Sequence, residues 1–273
     1  MWNRGFEGWY FKHQSTRDTV ALIPGRAESG AFVQMIFDGG SRQFRVPDLT
    51  VENGVIRAGD CLFSRRGCIV SLPGVNGSIS YGPFTPLRSD IMGPFRFLPL
   101  ECRHGVISMA HSLGGALSID GTLHDFTGGT GYIETDRGAS FPSSYLWLQC
   151  GDFSEPCSLM VSIARIPLMG THFTGCICAI VYRGREYRLA TYRGVRVGTG
   201  GPGRIRLSQG PLLLELAVTD SDCGHPLAAP RSGAMTGVIR ESHRAAVRCR
   251  LWENDRPVFS LRSSRASFER AGY

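Results

Sequence analysis

Short runs in which bulky apolar residues alternate with polar ones recur through this chain, each closed within a few residues by Gly, Asp, Asn or Pro. Successive strand side chains point to opposite faces, so such runs spell half-buried β-strands. An amphipathic helix would need a 3.6-residue recurrence held over several turns. Residues 6–12 and 31–37 are of this kind, the second ending on the turn signal Asp38-Gly39-Gly40. Further strands are expected at 55–57, 61–64, 68–72, 77–81, 106–110 and 116–126. The second half repeats the style at 159–163, 174–182, 185–192, 205–207, 212–218, 234–239, 246–252 and 258–262. Only 240–247 leaves a helix open. Thirty-five glycines and fifteen prolines without a collagen period fit many tight turns. The fold class expected is all-β and antiparallel.

The segment 82–99 is interrupted by Pro83, Pro86, Pro94 and Pro99, so it is neither a central strand nor a long helix. It is expected to cross a barrel mouth or wrap a sheet edge. A chain of 273 residues suits two domains of ordinary size. Two β-rich halves, 1–142 and 143–273, are expected to meet at the polar stretch 128–150. Its part from Thr130 to Pro142 reads as irregular, while in 145–150 Tyr145, Trp147 and Gln149 share one face and Leu146, Leu148 and Cys150 the other.

The formal charge is +7, almost wholly from arginine because Lys12 is the only lysine. The arginines form no long run and no stripe interleaved with aromatic residues, which argues against nucleic acid as a partner. Peripheral membrane contact is compatible with the excess. Nine cysteines, an opening without an apolar signal core and no apolar run of bilayer-spanning length point to a reducing cytoplasm.

Two motifs fail on context. Ala110-His111-Ser112-Leu113-Gly114-Gly115 has the letters of a nucleophile elbow, yet strand-like sequence follows it where a helix is required, so a turn between strands is expected. Gly198 to Gly203 spells G-x-G-x-x-G, but Pro202 removes a needed N–H and a strand follows, so a hairpin loop is expected. Cys176 and Cys178 share a strand face without a second ligand pair, and the seven histidines are scattered; no metal is expected.

The stretch 130–142 carries the densest chemistry. In extended backbone Tyr132, Glu134 and Asp136 project to one side with Arg137 beside them. Neighbouring, partly buried carboxylates have their pKa values pushed apart, which leaves one protonated near neutral pH and able to protonate an alkene or activate a phenol. The alternative on local grounds is a loop whose carboxylates pair with arginines or cap backbone N–H groups.

The run Tyr132-Ile-Glu134-Thr-Asp136-Arg137-Gly138-Ala-Ser140-Phe141-Pro142-Ser-Ser-Tyr145-Leu-Trp147-Leu-Gln149 resembles the tocopherol cyclase family's Tyr-x-Glu-Lys-Asn-Trp-Gly-x-x-Phe-Pro-x-x-Trp-x-Trp-x-Gln without gaps. Residues 6–12, Phe-Glu-Gly-Trp-Tyr-Phe-Lys, are similar to the family's opening, and Pro226-Leu227-x-Ala229-Pro230 to a late motif. The resemblance implies two lipocalin-like antiparallel β-barrel domains packed together, with an apolar ligand in a barrel or near their interface. It implies cofactor-free cyclisation of a prenylated phenol, quinol or related isoprenoid, or, without catalysis, carriage of an apolar ligand in the same cavity. Carried over by position, Glu134 is the candidate acid with Tyr132 beside it, and Asp136, from the local carboxylate cluster, joins them in the catalytic group. Glu7, Trp9, Arg137, Phe141, Tyr145, Trp147 and Gln149 are the candidate substrate contacts. The chain departs from the family at Thr135-Asp136-Arg137, where the family has Lys-Asn-Trp, and at Tyr145, where it has Trp.

Overall fold

Alternating runs become stable when their backbone N–H and C=O groups find ladder partners, and here every strand pairs with at least one neighbour. A computed structural model, describing residues 5–168, 170–201, 203–219 and 224–272, contains twenty-two strands among the described residues. Twelve form one antiparallel sheet: β1 (Phe6–Gln14), β2 (Thr19–Ala27), β3 (Gly30–Phe37), β4 (Gly40–Val46), β5 (Leu49–Glu52), β6 (Val55–Ala58), β7 (Cys61–Ser64), β8 (Gly67–Leu72), β9 (Val75–Tyr81), β10 (Cys102–Ile119), β11 (Thr122–Asp125) and β12 (Thr130–Gly138). Ten form another: β13 (Tyr145–Cys150), β14 (Cys157–Leu168), β15 (Thr171–Tyr182), β16 (Arg185–Ala190), β17 (Arg196–Thr199), β18 (Arg204–Gln209), β19 (Leu212–Thr219), β20 (His225–Arg231), β21 (Ala234–Glu253) and β22 (Arg256–Ala271). Among the described residues helix is confined to the short 3-10 turns Gly93–Phe97 and Thr191–Arg193. No described helix is long and apolar enough to cross a membrane.

The strand order of the first sheet is β4-β3-β2-β1-β12-β10-β9-β8-β7-β6-β5, with β11 on β10. That of the second is β16-β15-β14-β13-β22-β21-β19-β18-β17, with β20 on β21. In each, a sequence-distant strand is inserted beside the opening one, and the next strand in the order is very long. The first half of β10 pairs with β12 and its second half with β9, so one strand serves two parts of the sheet. Register shifts between Val106 and Ser108 and between Ser108 and His111 mark bulges where it bends.

The chain divides into two compact units. The first comprises Met1–Pro86, Glu101–Phe141 and Pro226–Val238; the second comprises Leu87–Leu100, Pro142–His225 and Ile239–Tyr273. The core of the first is built from one face of β1–β3, β5–β10 and β12, including Trp9, Phe11, Leu22, Met35, Phe63, Leu117 and Ile133. The core of the second includes Leu148, Cys150, Leu159, Cys178, Leu207, Cys249 and Phe268. Burial of such side chains contributes roughly 1.5–3 kcal/mol each before entropy is counted.

Residues 130–138, expected to be irregular, form β12, paired along its whole length with β1 and β10. Its buried outward face is polar, so apolar alternation was absent although the backbone is extended. Residues 110–115, expected as a turn, lie within β10; the bulges and Gly114-Gly115 disguised a continuous strand. Residues 240–247 are strand, because two register shifts between Ser242 and Val247 break the period of β21. The hairpin expected at 198–203 does join β17 to β18, but Gly198 and Thr199 belong to β17 and pair with Arg206 and Ile205, and Pro202 lies outside the described residues. Residues 82–101 contain no strand. Eight cysteines are free thiols, and Cys223 lies outside the described residues.

Candidate active site

Pairing of β1 with β12 brings the opening motif against the central one, in the register Tyr10 opposite Glu134, Lys12 opposite Tyr132 and Gly8 opposite Asp136. On the other side β10 sets His104 opposite Asp136 and Val106 opposite Glu134. Directly opposed residues share a face, so Tyr10, Lys12, Tyr132, Glu134, Asp136 and His104 form one polar layer on the side turned away from the core of Trp9, Phe11 and Ile133. This layer is nonetheless buried: Glu134 is 5% exposed and Lys12 2%.

Within it the contacts run in a line. Tyr132 Oη donates to Glu134 Oε2 at 2.5 Å. Glu134 Oε2 lies 3.4 Å from His104 Nε2, and His104 Nδ1 is 3.0 Å from Asp136 Oδ1. In the tautomer with a hydrogen on Nδ1, His104 donates to Asp136 and turns Nε2 toward Glu134. Burial, then the charge of Glu134, raises Tyr132 well above the usual phenol range, so its hydroxyl stays a donor. Burial and Asp136 likewise raise the Cys102 thiol, whose sulfur is 3.5 Å from Asp136. One ligand atom from each of His104, Glu134 and Asp136 also lies within 4.8 Å of the others, so among the described residues these three could hold a divalent cation.

Of the residues singled out from sequence, Tyr132, Glu134 and Asp136 meet. Glu7 and Arg137 sit on the opposite face: Glu7 pairs with Arg26 at 2.7 Å, and Arg137 is exposed. Trp9 points into the core of the first unit. Phe141 packs edge-on against Phe6 with ring centroids 5.3 Å apart, beside Phe32 and Met235. His104 and Lys12 complete the layer, and neither was picked out as a site residue. His104 had no local signal, since only the β10–β12 pairing brings it there. Alternation in residues 6–12 does put Lys12 on the face of Tyr10.

The second unit carries a related layer. Tyr145, Trp147 and Gln149 on β13 share the face of Ser267 and Glu269 on β22, turned away from Leu148, Cys150 and Phe268. Tyr145 Oη donates to Glu269 Oε2 at 2.7 Å. Glu241 is paired directly opposite Glu269, is 0% exposed, and lies 2.9 Å from His243 Nε2. Each unit thus sets a tyrosine-bound carboxylate on the strand inserted beside its opening one. Glu241, His243 and Glu269 had no motif to mark them in the sequence.

Residues 75–272 match the model of a family described as tocopherol cyclase-like. A probable chloroplastic tocopherol cyclase of Oryza sativa subsp. japonica is 25% identical over 183 residues, 63% of this chain and 39% of that protein. The chloroplastic tocopherol cyclase of Zea mays is 26% identical over 160 residues, 55% of this chain and 34% of that protein. The alignments therefore span well under half the length of these relatives. Among solved structures, CghA with Sch210972 superposes with TM-score 0.63 at 13% identity, covering 98% of this chain and 89% of that one. An AttH-type protein from Nitrosomonas europaea gives 0.54 at 14% identity, covering 99% and 93%. Kievitone hydratase from Nectria haematococca gives 0.53 at 12%, covering 98% and 89%. At such identities the likeness is one of fold.

Proposed function

The chain belongs to the tocopherol cyclase-like family, and on that premise we propose that it cyclises a prenylated phenol, quinol or related isoprenoid without a redox cofactor. The observation that carries this reading is the buried line Tyr132–Glu134–His104–Asp136. Glu134, as the carboxylic acid, gives its proton to the less substituted carbon of a trisubstituted alkene. A C–H bond forms, the π bond breaks, and a tertiary cation remains. The phenol oxygen attacks that cation, and the phenolic proton returns to the carboxylate, so the product is an isomer of the substrate. His104, held by Asp136, positions Glu134 and takes up or returns its proton through Nε2. Tyr132 fixes the reacting oxygen of Glu134. The lipocalin-like barrel reading belongs with this proposal, and is supported in the first unit by β2 and β3 lying against β5 and β6 around one core.

The test is incubation with a panel of prenylated quinols in D2O, followed by chromatography and mass analysis. One turnover introduces one deuterium and leaves the composition otherwise unchanged. Glu134→Gln, which keeps shape and loses the proton, is expected to lower the rate by about 10²–10⁴-fold. Undiminished turnover in that variant removes Glu134 as the acid. A chelator is expected to leave the rate unchanged; loss of activity with recovery on adding a divalent cation would assign His104, Glu134 and Asp136 to a metal instead. Tight binding of an unreacted prenyl lipid, equal in the wild type and Glu134→Gln, would favour a carrier.

A further inference from the structure

On the second unit, the face of β17, β18, β19, β21 and β22 that turns away from the core carries an array of arginines. Val197, Ile205, Leu207, Leu214, Leu216, Val247, Cys249, Leu251 and Leu261 point or pack inward, so the residues between them point out. The register sets these in rows. Arg262, Arg248, Ala217 and Arg204 form one row. Ser260, Arg250, Glu215 and Arg206 form the next. Trp252, Leu213, Ser208 and Arg196 form the third.

Like charges placed directly opposite each other on a sheet are destabilising, yet Arg248 and Arg262 are such a pair. Among the described residues the three rows hold a single carboxylate, Glu215, which lies 4.0 Å from Arg206. Asp152 stands at the margin, lining a shallow groove with Arg262 and Ser264. Arg248 Nε is buried without a hydrogen-bond partner. Burial against the sheet, with the charges of Arg250 and Arg262, holds Arg248 below the usual guanidinium range. A face built for stability alone would intersperse acids among these arginines. An anionic partner supplies what is missing.

The shape of the array indicates which anion. Its guanidinium groups sit on four of five adjacent strands, a width of about 19 Å at the usual strand spacing, and do not converge on one point as a single phosphate site requires. Trp252 is the lone aromatic residue in the three rows, so there is no stacking platform for successive bases. With Leu213 it offers an aromatic and an aliphatic group at one margin, suited to the headgroup level of a bilayer. We propose that this face docks the protein on an anionic membrane surface. The proposal stands independently of the cyclase reading.

The test is co-sedimentation of the full chain with vesicles of phosphatidylcholine alone or containing about 30% phosphatidylglycerol. Binding is expected to the anionic vesicles only, and to be lost at about 0.5 M salt, where the Debye length falls to a few ångströms. At about fivefold per arginine, Arg248→Gln/Arg250→Gln/Arg262→Gln is expected to bind on the order of 100-fold more weakly. The exposed triple Arg45→Gln/Arg57→Gln/Arg66→Gln on the first unit removes the same charge and is expected to bind within about twofold of wild type. Equal losses in the two triples, equal binding to neutral vesicles, or preference for duplex DNA over anionic vesicles would each overturn the proposal. Melting curves of both triples confirm that the fold is retained.

Discussion

His13 and His111 lie in the core side of the first unit, nearly inaccessible to solvent, with His13 Nε2 2.7 Å from Tyr81 Oη and His111 Nδ1 3.1 Å from Ser108 Oγ. Burial lowers His13 to about 3, assisted by the His111 charge, and lowers His111 to about 4. Both are therefore neutral in the fold but titrate near 6.5 once unfolded. The unfolded chain binds the extra protons, so stability is complete above about pH 6.5 and falls as the pH drops toward 4, by about 1.4 kcal/mol per pH unit for each histidine. A urea midpoint that falls steeply from pH 7 to 4.5, with a shallower fall in His111→Asn, is the expected result; a flat profile contradicts it. Gly131 gives a second prediction. A Cβ there would collide with His111 Nε2, and the ring, packed against Tyr81 and Phe84, has nowhere to go. Gly131→Ala is expected to cost about 1–3 kcal/mol in denaturant titration, with most of it recovered in a His111→Ala background.

At the scale of elements, β20 is tied to β3 by one side chain acting as a strand edge. Gln34 Nε2 donates to the Ala228 carbonyl at 3.0 Å, and the Ala228 N–H donates to Gln34 Oε1 at 2.8 Å. Gln34→Leu leaves both backbone groups unmatched and is expected to cost about 1–3 kcal/mol for each that stays dry, read from urea unfolding. The candidate site rests on β12, which is paired on both sides, whereas residues 50–52 of β5 are exposed at the far end of the same sheet. Hydrogen exchange is expected to be slowest in β1 and β12 and fastest in β5. Protection in the reverse order would show that the site strands are not the stable centre of their unit.

At the scale of the molecule, each unit takes one segment from the other half of the chain: Pro226–Val238 belongs to the first and Leu87–Leu100 to the second. The first of these segments supplies Ala228 to Gln34 and Met235 to the cluster of Phe6 and Phe32. A chain ending at Phe141 lacks it and bares that apolar surface. Such a chain is expected to aggregate or to give a collapsed amide spectrum, and a well-dispersed spectrum would refute the expectation.

By itself the sequence determined the all-β class, because alternation with period two and frequent Gly and Pro turn signals suit strands and starve helices. That Tyr132, Glu134 and Asp136 share a side followed from their spacing only once pairing with β1 and β10 had made 130–138 extended. Which strand pairs with which was decided only in three dimensions. Nothing local in 102–106 announces that His104 will lie between Glu134 and Asp136, because that position depends on a ladder between strands about thirty residues apart. The same holds for Glu7, a candidate contact from the opening motif, whose position on β1 turns it to the face opposite Glu134 and to Arg26. Long-range register sets those outcomes, and register is fixed by the burial of whole faces, a property of the assembled sheet.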